Sequence, residues 1–279
     1  MKISNQNRTL DLSTPKIMGI LNFTPDSFSD SGQFYQLDKA LYHVEKMLQD
    51  GAAIIDIGGE STRPMAAEVS LEEELQRVVP LVDAVRQRFD CWISVDTSKA
   101  AVMTEAANVG MDLINDIRSL TEQDALQTAV KLDLPVCIMH MQGAPRTMQN
   151  NPQYQNVVEE VLESLLQRAQ HCVEEGIRPQ HLILDPGFGF GKTISQNFKL
   201  LQKLGDFCIT GLPLMVGLSR KSMIYKTLDI STEEALNGTT VLNTVALLNG
   251  ADILRVHDVK EAVQAVRLVE KIKKSNDKQ

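Results

Sequence analysis

The chain has 279 residues, of which 43% are hydrophobic and 23% charged, a balance typical of soluble globular proteins. Its net charge of -8 at pH 7 excludes a broadly basic surface for nucleic acid, so any anionic ligand has to be held by local groups. The segment from Met1 to Arg8 has no apolar core and no run reaches membrane-spanning length, which predicts a cytoplasmic location without membrane contact. Widely spaced cysteines without a C-x-x-C pair predict reduced thiols and no structural metal.

Short apolar runs alternate with amphipathic segments of helical length along the chain. The apolar runs lie at 17–21, 53–57, 92–95, 113–114, 135–139, 182–184, 214–218 and 253–256. The helical segments lie at about 38–50, 70–88, 98–109, 122–132, 157–175, 195–204, 233–249 and 259–274. This alternation predicts an α/β fold in which a single (β/α)₈ barrel domain spans residues 1–279, with a short hairpin or plug before residue 16 and a frayed tail at 275–279.

The polar residues that end the apolar runs are informative, because the chemistry of such barrels lies at the carboxyl ends of the strands. They are Asn22, Glu60 to Arg63, Asp96, Asn115, His140, Asp185, Ser219 to Lys221, Arg255 and His257. Any one of them could simply cap a helix, as Asp96 could before Thr97 and Ser98. Together, the acceptors suit a flat heterocycle with several N–H donors, and the cations suit a phosphate group.

Two long loops add further candidates. The first, at 22–30, carries Phe28 among small polar residues and resembles a mobile lid. Asn22, at its start, suits an oxygen ligand for Mg²⁺. The second loop, at 58–64, combines glycines, hydroxyls and Arg63, which favours contact with an anion.

A glycine-rich stretch at 182–192 first suggests a phosphate loop. Gly191-Lys192-Thr193 matches the end of the G-x-x-x-x-G-K-[ST] pattern, but Pro186 stands where that pattern requires glycine. The stretch is better interpreted as a strand that delivers Asp185 to the rim, followed by a loop that turns tightly. On this interpretation Lys192 has no assigned role.

Eight segments in order resemble the dihydropteroate synthases, a pterin-binding family of folate biosynthesis. They are Asn22-Phe-Thr-Pro-Asp-Ser-Phe-Ser-Asp30, Gly59-Glu-Ser-Thr-Arg-Pro64, Ser94-Val-Asp-Thr97, Asn115-Asp-Ile117, Met139-His140, Leu184-Asp-Pro-Gly-Phe-Gly-Phe-Gly191, Gly217-Leu-Ser-Arg-Lys-Ser222 and Arg255-Val-His-Asp258. The resemblance implies a (β/α)₈ barrel that joins (7,8-dihydropterin-6-yl)methyl diphosphate to 4-aminobenzoate with Mg²⁺, by a route in which diphosphate leaves first. It also implies inhibition by sulfonamides and a homodimer formed near the carboxyl end.

The resemblance also assigns roles to individual positions. The pterin ring and its diphosphate would be held by Thr62, Asp96, Asn115, Met139, Asp185, Lys221, Arg255 and His257. The 4-aminobenzoate pocket would be formed by Phe28, Arg63, Pro64, Phe190, Lys221 and Ser222. Asn22 would bind the metal and act in catalysis with Asp96, Asp185, Lys221, Arg255 and His257. We expect Asp185→Asn to abolish pterin binding and Lys192→Ala to leave it nearly intact.

One position departs from the family pattern, which usually has glycine where this chain has Met65. If that glycine has a positive φ, methionine changes the second loop and the sulfonamide affinity, but not the class of reaction. The main alternative is a corrinoid-dependent methyltransferase on the same pterin-binding barrel, which would need neither the lid nor Lys221 and Ser222. A nucleotide-binding protein and an inactive pterin-binding relative are further alternatives. The costly polar groups at the strand ends disfavour the last.

Overall fold

The computed structural model describes residues 1–23, 33–60, 69–143, 148 and 152–276. An antiparallel hairpin is formed by β1 (Lys2–Ser4) and β2 (Thr9–Asp11). The parallel strands are β3 (Lys16–Asn22), β4 (Ile54–Gly58), β5 (Trp92–Asp96), β6 (Leu113–Asp116), β7 (Val136–Met139), β8 (Leu182–Asp185), β9 (Met215–Val216) and β10 (Ile253–Val256). They form an eight-stranded sheet in the order β8-β7-β6-β5-β4-β3-β10-β9, and a parallel bridge between Leu184 and Leu214 joins its two edges. The predicted barrel with its N-terminal hairpin is therefore confirmed.

Helices connect the strands and surround the barrel. They are α1 (Gln33–Asp50), α2 (Leu71–Arg88), α3 (Ala100–Asn108), α4 (Ala125–Leu132), α5 (Val157–Glu174), α6 (Ile194–Gln202), α7 (Ser222–Leu228), α8 (Leu236–Leu248) and α9 (Val259–Asn276). A capping box starts α2: the Ser70 hydroxyl accepts from the Glu73 amide, and the Glu73 carboxylate accepts from the Ser70 amide. Helix α7 is an addition to the predicted set, since its two turns are too short to show a helical period.

The lower half of the barrel interior is apolar, and the hairpin closes it. Each strand contributes one inward side chain to this layer: Met18, Ile54, Trp92, Leu113, Cys137, Ile183, Met215 and Ile253. Ile3, Leu10 and Leu12 pack against the layer from below. The interior at this level is thus a packed core, as side-chain layers in such barrels usually are.

Asp112 fastens the hairpin to the barrel. Its Oδ1 accepts a 2.8 Å hydrogen bond from Asn5 Nδ2, and its Oδ2 accepts a 2.9 Å bond from the Ile93 amide. Arg86 forms an ion pair with the same carboxylate. The closed lower end leaves the carboxyl ends of the strands as the open face. Within the described ranges, no helix is both long and apolar enough to cross a bilayer.

Candidate active site

Above the apolar layer, the barrel interior becomes polar. Side chains two residues apart on a strand face the same side, so the next inward layer consists of Ile20, Asp56, Ser94, Asn115, Met139, Asp185, Gly217 and Arg255. Asp56, Ser94, Asn115 and Asp185 are all buried. Charged groups this deep in a barrel are costly unless they are paired, so their partners define the site.

Asp56, on β4, is wholly buried and accepts hydrogen bonds from three other residues of this polar layer. Its Oδ1 accepts a 2.6 Å hydrogen bond from Ser94 Oγ, and its Oδ2 accepts a 2.7 Å bond from Arg255 Nε. Asn115 Nδ2 donates to both carboxylate oxygens at 3.3 Å. Sequence reasoning missed Asp56, because it lies inside an apolar run instead of ending one. Its position two residues after Ile54, on the same face of β4, was the available signal.

Arg255 links two carboxylates. Its Nη2 donates to Asp96 Oδ2 at 2.8 Å while Nε is bound to Asp56. Burial raises the pKa of Asp96 to about 7, with Arg255 opposing the shift and the charge of Asp56 adding to it. Burial disfavours the charge on Arg255, but Asp56 and Asp96 outweigh that effect and raise its pKa. Arg255 therefore remains a cation between the two carboxylates.

Asp185 and Lys221 are two further charged groups of the site, and each affects the pKa of the other. Asp185 Oδ1 accepts a 2.7 Å hydrogen bond from the Gly187 amide. Burial raises the pKa of Asp185, and Lys221 is the main opposing charge. Burial also lowers the pKa of Lys221 to about 8, against the pull of Asp185. Lys221 Nζ donates to the Phe188 carbonyl and lies 4.4 Å from the centre of the Phe190 ring.

The glycine-rich loop after β8 is held from inside by Lys192. This lysine is 2% exposed, and its Nζ donates to the carbonyl oxygens of Gly187 at 2.8 Å and Phe190 at 3.0 Å. Nζ also lies 3.0 Å from His140 Nδ1. Thr193 begins α6 with a capping box. Lys192 therefore points into the protein, where it could not reach a bound phosphate, and the phosphate-loop interpretation fails on geometry as well as on spacing.

His140 is a neutral partner of this lysine. Burial lowers its pKa to about 3, and the charge of Lys192 adds to the shift. Its backbone amide donates to the Asp185 carbonyl at 3.0 Å. His140 therefore ties β7 to β8 and to the loop that follows, a role that its position in the sequence could not reveal.

The remaining predicted residues lie at the same open end. Ser219 Oγ is 3.0 Å from His257 Nδ1 and accepts a 3.2 Å hydrogen bond from the His257 amide. Ser222 is the first residue of α7, directly after Lys221. Asn22 ends β3 opposite Gly58, which has no side chain to cover it.

Met139 is held at the end of β7, where Ser119 Oγ accepts a 2.8 Å bond from its amide and donates a 2.6 Å bond to its carbonyl. The structure therefore brings Asp96, Asn115, Asp185, Lys221 and Arg255 together around one opening. Four predicted site residues, Phe28, Thr62, Arg63 and Pro64, lie outside the described residues, as does Met65.

Comparison with known proteins identifies the family. Residues 18–257 match the family model of pterin binding enzymes. The dihydropteroate synthase of Haemophilus influenzae is 65% identical over 93% of this chain and 94% of its own length. The structure of Yersinia pestis dihydropteroate synthase with a sulfonamide drug complex covers 98% of this chain and 100% of that chain, at 52% identity and a TM-score of 0.94.

A more distant structure shows the same fold. Dihydropteroate synthase from Xanthomonas albilineans in complex with 7,8-dihydropteroate is 36% identical, covers 98% of this chain and 99% of that chain, and has a TM-score of 0.89. Family model, full-length identity and fold agree with one another and with the polar rim described above. The chain therefore belongs to the dihydropteroate synthases, a family of pterin-binding enzymes.

Proposed function

We propose that the chain condenses (7,8-dihydropterin-6-yl)methyl diphosphate with 4-aminobenzoate, giving 7,8-dihydropteroate and diphosphate. One observation carries this proposal: a polar layer with buried Asp56, Asn115 and Asp185 and half-buried Arg255, joined to Asp96 at the end of β5, opens at the carboxyl ends of the strands. The 7,8-dihydropteroate held by the Xanthomonas albilineans relative supports it.

The ring is recognised by hydrogen-bond acceptors at the open end of the barrel. The Asp185 carboxylate and the Asn115 amide oxygen accept from ring and exocyclic N–H groups. Asp96, at the end of β5, provides a third acceptor. The Met139 side chain lines one wall. Hydrogen bonds to buried carboxylates are among the stronger ones in proteins, so a ligand that lacks these donors would leave costly unpaired charges behind.

The reaction breaks the bond between the pterin methylene carbon and the diphosphate oxygen, and the electron pair leaves with diphosphate. The described site residues offer no activated nucleophile for a covalent intermediate, so positioning and charge stabilisation carry the rate. Asp96 and Asp185 favour the electron-deficient pterin cation. The amine of 4-aminobenzoate then attacks the methylene carbon and loses a proton. Arg255 and His257, with Thr62, stabilise the departing anion.

Mg²⁺ is the proposed cofactor, and the residues present fit it. Asn22 ends β3 at the open rim, and its amide oxygen is the kind of hard ligand that Mg²⁺ accepts. Glycine at position 58 keeps this oxygen uncovered on that side, because a Cβ built there would touch Asn22 Oδ1 at 3.5 Å. Bound Mg²⁺ would supply positive charge to the leaving diphosphate. Removal of Mg²⁺ or the substitution Asn22→Ala is expected to slow diphosphate release.

The 4-aminobenzoate pocket is proposed to lie beside Lys221. The ammonium group of Lys221 over the Phe190 ring, followed by Ser222 at the start of α7, provides a cation and a hydroxyl for the carboxylate. Phe28, Arg63 and Pro64 complete the proposed pocket. Sulfonamides, which mimic 4-aminobenzoate, are expected to compete for it.

We also propose a cytoplasmic homodimer formed through α8 and α9. Several large apolar side chains are exposed on these helices: Val241 by 53%, Leu248 by 51%, Leu268 by 67% and Ile272 by 52%. An apolar surface of this kind is typical of an interface. Leu268→Glu is expected to give monomers in sedimentation velocity, whereas Leu166→Glu on α5, 42% exposed, leaves the dimer intact.

An assay of diphosphate release tests the proposed function. Release should require both 4-aminobenzoate and Mg²⁺, and the product should be 7,8-dihydropteroate by mass. Release that is independent of 4-aminobenzoate would overturn the proposal, and methyl transfer to a corrinoid would support the methyltransferase alternative instead.

A further inference from the structure

Asp56 lies in the same inward layer as Asn115 and Asp185, which are proposed to hold the pterin, and all its hydrogen-bond partners among the described residues are protein groups. It is wholly buried, and its two oxygens accept from Ser94, Asn115 and Arg255. Two of these donors, Asn115 and Arg255, are proposed to contact the substrate. Asp56 therefore does not need to touch the pterin in order to affect how it is bound.

The chemistry of the Asp56 carboxylate fixes the orientation of the Asn115 amide. An ionised carboxylate is only an acceptor, so the Asn115 side chain has to turn its NH₂ group toward Asp56. Its Oδ1 then lies on the other side of the amide, away from Asp56. Arg255 is fixed in the same way, because Nε faces Asp56 and Nη2 faces Asp96.

We infer that Asp56 is a positioning residue that holds Asn115 as a hydrogen-bond acceptor, and Arg255 as an oriented donor, toward the substrate. The inference rests on the proposed function, and it adds a determinant of ligand choice. The site selects a heterocycle with an N–H donor opposite Asn115, because Asp56 prevents that amide from presenting its own NH₂ group.

The isosteric change Asp56→Asn is expected to invert this arrangement. The oxygen of the new amide has to accept the hydrogen bond from Arg255 Nε, so the NH₂ group of this amide faces Asn115 and Ser94. The Ser94 hydroxyl can rotate to accept. Asn115 Nδ2, which is 3.3 Å from both oxygen positions of residue 56, keeps one acceptor but meets the new NH₂ group at the other, and a half-turn of the Asn115 amide relieves that repulsion. The Asn115 NH₂ group then meets the N–H donor of the pterin, and two donors repel each other.

A swapped pair restores the pattern and separates this mechanism from general damage. In the double variant Asp56→Asn/Asn115→Asp, the amide at position 56 can donate to the carboxylate at position 115, and its oxygen can still accept from Arg255. The second carboxylate oxygen at 115 then faces the pterin as an acceptor. The single variant Asn115→Asp places two carboxylates side by side, and it should bind the pterin poorly.

The test measures binding of 7,8-dihydropteroate by calorimetry and the KM values of both substrates for wild type, both single variants and the swap. We expect Asp56→Asn to weaken pterin affinity at least about tenfold, with the KM for 4-aminobenzoate changed less than about twofold. The swap should return affinity to within about threefold of wild type, which is strong non-additivity.

Control measurements distinguish a failure of the proposed function from a failure of the role of Asp56. Asp112→Asn, a buried carboxylate at the closed end of the barrel with its own arginine partner, should lower thermal stability without a change in pterin affinity. Wild-type protein that binds no 7,8-dihydropteroate would overturn the proposed function and the inference with it. Normal affinity in Asp56→Asn, or additive losses in the swap, would overturn the role of Asp56 alone. If Asp56→Asn does not fold, the folded swap decides by its affinity.

Discussion

Gly187 lies so close to His140 that a Cβ built on Gly187 would be 1.9 Å from the His140 carbonyl oxygen. Gly187 also has φ +70°, and its amide donates to Asp185. Gly187→Ala therefore has to displace the loop and the hydrogen bond that orients the Asp185 carboxylate. We expect pterin affinity, measured by calorimetry, to fall at least about tenfold, together with a lower Tm.

Gly211→Ala is the matched control for this prediction. Gly211 has φ +68°, almost the same conformation, but nothing lies within 4 Å of a Cβ built there. Its substitution should cost only the conformational penalty of about 1 kcal/mol and leave pterin affinity unchanged. Equal losses of affinity in the two variants would show that the contact with His140 does not matter.

Lys192→Met should destabilise the protein and, through the loop, weaken pterin binding. The substitution leaves the carbonyls of Gly187 and Phe190 without their buried donor, at a cost of roughly 1–3 kcal/mol in the free energy of unfolding. Lys203→Met, at an exposed lysine, provides the control by denaturant titration. The sequence-based prediction is that Lys192→Ala leaves pterin binding nearly intact, whereas these contacts lead us to expect weaker binding. Unchanged affinity and stability in Lys192→Met would restore the earlier expectation.

The sequence predicted the barrel and its rim because both depend on local patterns. Apolar runs mark strands, and the last polar residue of a run marks the rim, as with Asp96 and Asp185. Asp56 was missed because it faces inward from within a run, where only its register with Ile54 reveals it. The contacts of Lys192 and His140 were unpredictable, since they join residues 52 positions apart through the packing of loops.

The binding of pterin substrate should have a bell-shaped dependence on pH. Ionised Asp96 accepts hydrogen bonds with both oxygens and more strongly than the protonated acid, so affinity rises as pH increases through its pKa of about 7. Lys221, which the sequence assigns to the pterin diphosphate as well as to 4-aminobenzoate, has to be protonated to attract that diphosphate, so affinity falls as pH increases through its pKa of about 8. The optimum is therefore expected between these values, in a profile of kcat/KM for the pterin substrate.

Lys221→Arg identifies the alkaline limb of this profile. Arginine remains charged across the accessible range, so the limb should move upward out of the measured window even if the maximum rate falls. Persistence of the limb would assign it to another group. Lys192 is then the candidate, because burial lowers its pKa to about 7, with Asp185 opposing the shift.

Lys99 contacts Glu60 and Val69, on either side of Arg63 and Pro64 in the sequence, and should affect the two substrates unequally. Its Nζ donates to Glu60 Oε2 at 2.9 Å and to the Val69 carbonyl at 3.0 Å, and it forms an ion pair with buried Glu74. Residues 60 and 69 flank the segment that carries the proposed 4-aminobenzoate ligands. Lys99→Met should therefore raise the KM for 4-aminobenzoate severalfold, with little change in the affinity for pterin.

The same substitution leaves Glu74 buried without its cation, which should cost on the order of 2–3 kcal/mol of stability. Adding Glu74→Gln removes that uncompensated charge, so the double variant should recover much of the lost Tm. It should not recover the KM for 4-aminobenzoate, because residues 60 and 69 still lack the hydrogen bonds that Lys99 donates to them. If the KM recovers together with the Tm, the effect on substrate is a consequence of lost stability, and the link between Glu60 and Val69 through Lys99 has no separate function.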